Sequence, residues 1–160
     1  MTLIWTRVDQ KLIHGQVSAA WVPYLGVDAI VVSDYDSAGD AWAQKVMTMG
    51  LPPEIRRTVF CPPDKLPEII GRDDLQGCRV MLLFKNLEDA LKAVAAGLRL
   101  KRLNLGNQAC RSPERDLRLA DSFYASRRDL EALARFQKDG LEVIVQSVPG
   151  GKAVKWSFSE

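Results

Sequence analysis

Apolar residues along this chain fall into two kinds of run. Short, nearly continuous apolar stretches alternate with longer segments in which apolar positions recur every three or four residues. The first kind predicts strands at 2–8, 28–34, 55–61, 78–85, 101–106 and 141–148, of which "DAIVVSD" and "CRVMLLFK" are the plainest. The second kind predicts helices. One covers 15–25 and is cut near Pro23; another covers 40–50 and is stopped by Gly50 and Pro52-Pro53. A short helix follows at 62–71, with proline near its start, where a missing N–H costs least. Helices at 86–97 and 126–140 carry Asn86 and Ser126 as N-caps and end at Gly97 and Gly140. Residues 107–122 lack a clear period and read as a surface excursion, and the tail 151–160 as an added edge strand. The spacing of Trp5 and Trp42 places both in the core.

Strands that alternate with helices of this length pair in parallel through right-handed crossovers. Apolar runs without strict alternation fit strands covered on both faces. The expectation is an α/β fold: an open, mostly parallel twisted sheet with helices on both faces and an antiparallel edge strand at the C-terminus. Nothing reads as a linker or repeat, so residues 1–160 are taken as one domain. Ligands of such sheets bind at the carboxyl ends of the strands. The loops there are 34–39, 61–64, 85–86, 106–110 and the loop after the first strand.

Composition narrows the chemistry. The formal net charge of +2, with basic residues scattered among acids, does not argue for nucleic acid. Cys61, Cys78 and Cys110 are far apart and odd in number, and one histidine cannot complete a zinc site with them, so no metal is expected. The cysteine pattern favours a reducing cytoplasm. No signal peptide or membrane span is visible, so work at a membrane would be done beside it. No G-x-G-x-x-G or Walker sequence appears, and no cofactor is expected.

The single histidine, His14, lies in "RVDQKLIHGQV" (7–17), between a strand and a helix start. Free N–H groups at a helix start favour an anion. Arg7 and Lys11 add cations, Asp9 could hold one ring nitrogen and leave the other as a lone pair, and Gly15 removes a side chain that would crowd an incoming group. A neutral imidazole that attacks a phosphoryl group would use all of these, because phosphoryl transfer asks the protein mainly for positioning and charge stabilisation.

That segment resembles the active-site motif of the IIB components of the mannose/sorbose family of sugar phosphotransferase systems, R-[IV]-D-x-R-L-I-H-G-Q-V. The resemblance continues in "FKNLEDALKAVAAG", "KRLNLGN" and "GLEVIVQSVP" and spans nearly the whole chain, whose length suits one IIB unit. It implies the mostly parallel sheet expected above. It also implies that His14 accepts a phosphoryl group from a phosphohistidine on a IIA partner and delivers it to a sugar brought in by membrane components IIC and IID. The protein would then be cytoplasmic and held at the inner face of the membrane through its partners. Arg7, Asp9 and Gln16 match positions that shape the loop. Two positions depart. The family's arginine three residues before the histidine is Lys11, which keeps the charge but loses the planar fork. The family's glycine pair after the fifth strand is Gly106-Asn107.

Lys85, Asn86 and Gly106 fall on the functional edge and are candidate rim residues. A docking rim for a visiting protein would be partly apolar and mildly basic, drawing on Arg7, Lys11, Lys85 or Arg111. Trp21, just after the histidine loop, either covers the site or packs. "SDYDSAGD" reads as a turn with helix-capping acids rather than a Mg²⁺ site. "CRSPER" reads as a solvated loop, one residue short of a thiol phosphatase loop. Three functions remain open at this level: a IIB subunit in sugar uptake; a regulatory phosphocarrier not coupled to transport, which the Lys11 change motivates; and a non-catalytic anion-binding domain.

Overall fold

The computed structural model describes residues 1–158. Seven strands form one sheet in the order β3-β2-β4-β1-β5-β8-β9. They are β1 (Thr2–Asp9), β2 (Ala29–Ser33), β3 (Arg57–Cys61), β4 (Arg79–Phe84), β5 (Arg102–Asn107), β8 (Glu142–Val145) and β9 (Val154–Trp156). The β8–β9 pair is antiparallel. All other neighbours are parallel. The α/β architecture and the antiparallel C-terminal edge are therefore as the sequence predicts.

The period of two along the central strands divides the interior into two cores. Ile30 and Val32 of β2 and Met81 and Leu83 of β4 face Leu12, Val17, Trp21 and Val22. Val31, Val80, Leu82 and Phe84 face the other way. They pack under Leu87, Ala90 and Ala93 of α5 (Leu87–Ala95) and Leu133 and Phe136 of α6 (Arg127–Lys138). Removing such side chains from water stabilises the fold by about 1.5–3 kcal/mol each. Asn86 caps α5, and Ser126 and Asp129 form a capping box at α6.

The structure departs from expectation at four places. First, the helix after the histidine loop keeps its expected bounds, 15–25, but is not cut at Pro23. A π-helical turn, Val17–Trp21, leads into α1 (Val22–Leu25), and Pro23 sits in the first turn of α1, where its missing N–H is tolerated. Gly26, at φ 59°, closes the segment. Second, the stretch read as irregular, 107–122, contains β6 (Leu117–Ala120), which forms a hairpin with β7 (Phe123–Ala125) just beyond it. Its strands are too short to show a period, yet Phe123 and Ala125 are fully buried. Third, Trp42 is not core. It stands 72% exposed on α3 (Ala41–Met49), beside exposed Val46 and Met49. Met47 is the residue of this helix that packs against the core, so the apolar stripe that the spacing identifies looks outward. Fourth, β8 stops at Val145, and residues 146–148 turn toward the histidine loop. Further short helices are α2 (Tyr35–Ala38), whose N-cap is Asp34, and α4 (Leu66–Ile70). Asp40 caps α3, so the acids of "SDYDSAGD" act as caps.

Candidate active site

Alternation along β1 puts Trp5, Arg7 and Asp9 on one face of the sheet, and Arg7 and Asp9 are wholly buried. Burying a guanidinium is tolerable only if its hydrogen bonds are made. Here all are. Nε and Nη2 donate to Asp9 Oδ2 at 3.0 and 2.8 Å. Nη1 donates to Asn104 Oδ1 at 2.6 Å and to the Gln146 carbonyl at 2.9 Å. Nη2 also donates to the Ser147 carbonyl at 2.9 Å. These five bonds match the five N–H donors of arginine. The expectation that Arg7 contributes a cation to the docking rim, or grips phosphate there, is therefore corrected: every donor is engaged inside the protein.

A bulge makes room for the guanidinium. Val8 pairs with Leu105 and Asp9 with Asn107, so Gly106 is an extra residue in β5. A Cβ on Gly106 would fall 2.5 Å from Arg7 Nε and closer still to Cζ and Nη2. Gly106 is thus a packing requirement of the Arg7 site rather than a rim residue. On the other side, the Trp21 ring centroid lies 5.2 Å from Arg7 Cζ, and the indole N–H donates to the Ser147 carbonyl at 2.9 Å. Trp21 is fully buried and stacks on Trp5, so packing is its role.

Asp9 converts this buried frame into an orientation for the histidine. Besides Arg7, its Oδ2 accepts from Asn107 Nδ2 at 2.9 Å and lies 3.0 Å from His14 Nε2, while Oδ1 accepts the Lys11 N–H at 3.0 Å. Burial pushes the Asp9 carboxyl upward, but the His14 hydrogen bond, the Arg7 charge and the Asn107 amide outweigh it and hold the group below the usual carboxylate range. Burial also draws Arg7 downward, against the opposing pull of Asp9. An ionised Asp9 can only accept, so Nε2 donates to it, and in a neutral ring Nδ1 then bears the lone pair.

The loop holds this geometry through its backbone. The Leu12 N–H closes a turn on the Asp9 carbonyl, and Leu12 adopts φ 53°, a left-handed conformation uncommon for a branched side chain. The buried side chains of Leu12 and Ile13 anchor it. The His14 side chain is 18% exposed. Its carbonyl accepts the Ser18 N–H, and the helix starts there. Among the described residues, the N–H groups of His14, Gly15 and Gln16 have no backbone acceptor. Nothing would lie within 4 Å of a Cβ on Gly15, so the space above it is open.

The remaining candidates divide. Gln16 joins the cluster, its Oε1 accepting from Asn107 Nδ2 at 2.8 Å. The Lys11 side chain is exposed, and among the described residues no carboxylate pairs with it. Lys85 instead pairs with Asp36 at 2.8 Å and approaches Asp34, and Asn86 is engaged in capping α5 through the Asp89 N–H. Neither touches the histidine cluster. Arg111 is exposed, and its backbone N–H is held by Asp116. Sequence reasoning missed Asn104, Gln146 and Ser147, and passed over Asn107 as a contact. Asn104 did carry a signal, a polar residue in a strand covered on both faces. Gln146 and Ser147 act here through carbonyls, which no side-chain pattern reveals.

The chain resembles known proteins over nearly its whole length. Residues 3–158 match the family model described as the PTS system sorbose subfamily IIB component. The chain is 30% identical over 148 residues to the PTS system mannose-specific EIIAB component of Escherichia coli (strain K12), covering 92% of this chain but only 45% of that longer protein. It is 29% identical to N-acetylgalactosamine-specific phosphotransferase enzyme IIB component 2 of the same strain, over 95% of this chain and 94% of that one. The crystal structure of the N-acetylgalactosamine-specific IIB component 1 from Escherichia coli superimposes with a TM-score of 0.87 at 26% identity, covering 99% of this chain and 100% of that one. A histidine oriented by a buried carboxylate at the mouth of a parallel sheet thus coincides with a match over nearly the full chain, and the protein belongs to the sorbose-subfamily IIB components of the phosphotransferase system.

Proposed function

We propose that this chain is a phosphoryl carrier in sugar uptake, with His14 as the carrier residue and Nδ1 as the attacking atom. The observation that supports this most directly is the 3.0 Å contact between His14 Nε2 and the Asp9 carboxylate, which leaves Nδ1 as the free lone pair on a partly exposed ring. The donor is a phosphohistidine on a IIA protein. The Nδ1 lone pair forms a bond to phosphorus in line with the donor P–N bond, which breaks and returns its electron pair to the donor imidazole. The phosphorylated ring keeps its Nε2 proton, and Asp9 stabilises the positive charge that spreads over it. The free N–H groups at residues 14–16 and the Lys11 ammonium receive the phosphoryl oxygens. In the second half-reaction a sugar hydroxyl, presented by membrane components IIC and IID, attacks the same phosphorus; the P–N bond breaks with its electron pair returning to Nδ1, and the hydroxyl proton is released to the solvent. Among the described residues no helix is long and apolar enough to cross a membrane.

The test is incubation with a phosphorylated IIA protein. Base-stable, acid-labile label should appear on the wild type and not on His14→Ala. An unlabelled wild type, or label retained in His14→Ala, refutes the assignment. Supplying IIC and IID with sugar then separates transport from a regulatory role: loss of label without sugar phosphate rejects the transport step.

A further inference from the structure

A second polar site shares a wall with the histidine cluster. A cavity of about 540 Å³ opens between the end of β5, the turn after β8 and the β6–β7 hairpin. Its volume lies within the range of roughly 300–1,000 Å³ usual for small-molecule sites. Gln16 and Asn107 form the shared wall, and Asn107 Nδ2 donates both to Gln16 Oε1 and to Asp9 Oδ2. Beyond them stand Gln146 and Ser147. The Ser147 hydroxyl has only long contacts, 3.5 Å to Gln16 Oε1 and 3.4 Å to Asn107 Oδ1. Gln146 Nε2 bonds the Gly151 carbonyl at 3.1 Å, and among the described residues its Oε1 has no partner. The floor is apolar, from Leu119 and Val154.

We propose that this cavity binds a monosaccharide, so that the IIB chain itself contributes contacts to the sugar. The argument is chemical. Amide and hydroxyl groups both donate and accept, which is what the hydroxyls of a polyol require, and an apolar floor suits the C–H face of a sugar ring. A free anion would want converging cations, but the cavity offers only Lys152, with Asp121 opposite in charge on the same lining. No aromatic ring lines the cavity to stack a base. The proposal rests on the carrier reading for its purpose: a sugar seated here would lie one side chain from the cluster that holds the phosphoryl carrier.

The experiment is a ¹H–¹⁵N titration of the full chain with D-mannose, N-acetyl-D-galactosamine, inorganic phosphate and glycerol in turn. At least one of the sugars should shift the amides of Ser122, Gln146 and Lys152 with a Kd of about 1–10 mM. Lys152→Ala should weaken this about tenfold and Ala120→Phe, which fills the cavity, should abolish it. Both variants should keep a dispersed spectrum and normal His14 labelling. His14 labelling without sugar-induced shifts overturns the cavity proposal and leaves the carrier intact. Shifts at the cavity with His14 unlabelled uphold the sugar site and overturn the carrier. Equal shifts with phosphate or glycerol, or shifts that persist in Ala120→Phe, also overturn it.

Discussion

Replacing Gly106 by alanine should be among the most damaging single-methyl additions in this protein. The new Cβ would overlap Cζ, Nε and Nη2 of Arg7, a group with no exposed surface and five hydrogen bonds fixing it. It is not the free end of a flexible side chain, so either the guanidinium leaves its partners or β5 moves away from β1. Displacing the guanidinium uncouples a buried ion pair, which costs about 3–5 kcal/mol. That is a large part of a typical stability of roughly 5–15 kcal/mol. For a chain of this size each kcal/mol lowers Tm by roughly 2–4 °C, giving a fall of about 6–20 °C. Urea melts read at Trp fluorescence measure the loss, because buried Trp21 lies beside Arg7. Gly15→Ala is the control, with nothing within 4 Å of its Cβ, and its Tm should stay at or slightly above the wild-type value. A Gly106→Ala protein as stable as wild type would refute the claim that Arg7 is locked.

Three further outcomes follow from the same geometry. Lys11→Glu places an acid beside the receiving N–H groups and should slow phosphoryl acceptance by about tenfold, with stability within about 0.5 kcal/mol of wild type; unchanged transfer in a single-turnover assay would remove Lys11 from the phosphate. Burial and the nearby Asp34 push Asp89 up to about 6. The folded state therefore holds a proton that the unfolded chain releases between about pH 4 and 6, and stability falls as pH rises through that window. Asp89→Asn keeps an acceptor for Asn86 and should add about 1–3 kcal/mol above pH 7 and little at pH 4 in paired urea melts, and equal gains at both pH values would contradict the assignment. Trp42→Ser should change the urea midpoint little, by less than about 0.5 kcal/mol, since the indole is 72% exposed; a larger loss would mean that α3 packs more closely than described.

The sheet was legible because its central strands carry uninterrupted apolar runs, and only burial on both faces explains such runs in "AIVVS" and "RVMLLF". The histidine loop, with Arg7, Asp9 and Gln16 around His14, was legible through its motif. What the sequence hid falls into two physical kinds. The hairpin of β6 and β7 is too short for periodicity, and its place is set by Phe123 reaching the core and by backbone bonds between Gln108 and Ser122 and Tyr124. The misplaced Trp42 shows the converse: a periodic apolar stripe exists whether or not anything covers it. Arg7 was read both as a loop-shaping residue, through the motif, and as an outward cation, through its charge, and only the second reading fails. Apart from Asp9, its partners come from β5 and from the turn after β8, 97 to 140 residues away in sequence, and no local pattern could announce them.

Because the guanidinium that sets the imidazole works entirely from within, the chemistry and the outward contact surface are carried by separate sets of residues. Side chains on the exposed face of the loop can change without disturbing the contact between Asp9 and His14. Substitution on the outer surface and substitution at the interior quartet of Arg7, Asp9, Asn104 and Gly106 therefore have separate consequences: only the second reaches the imidazole through the fold.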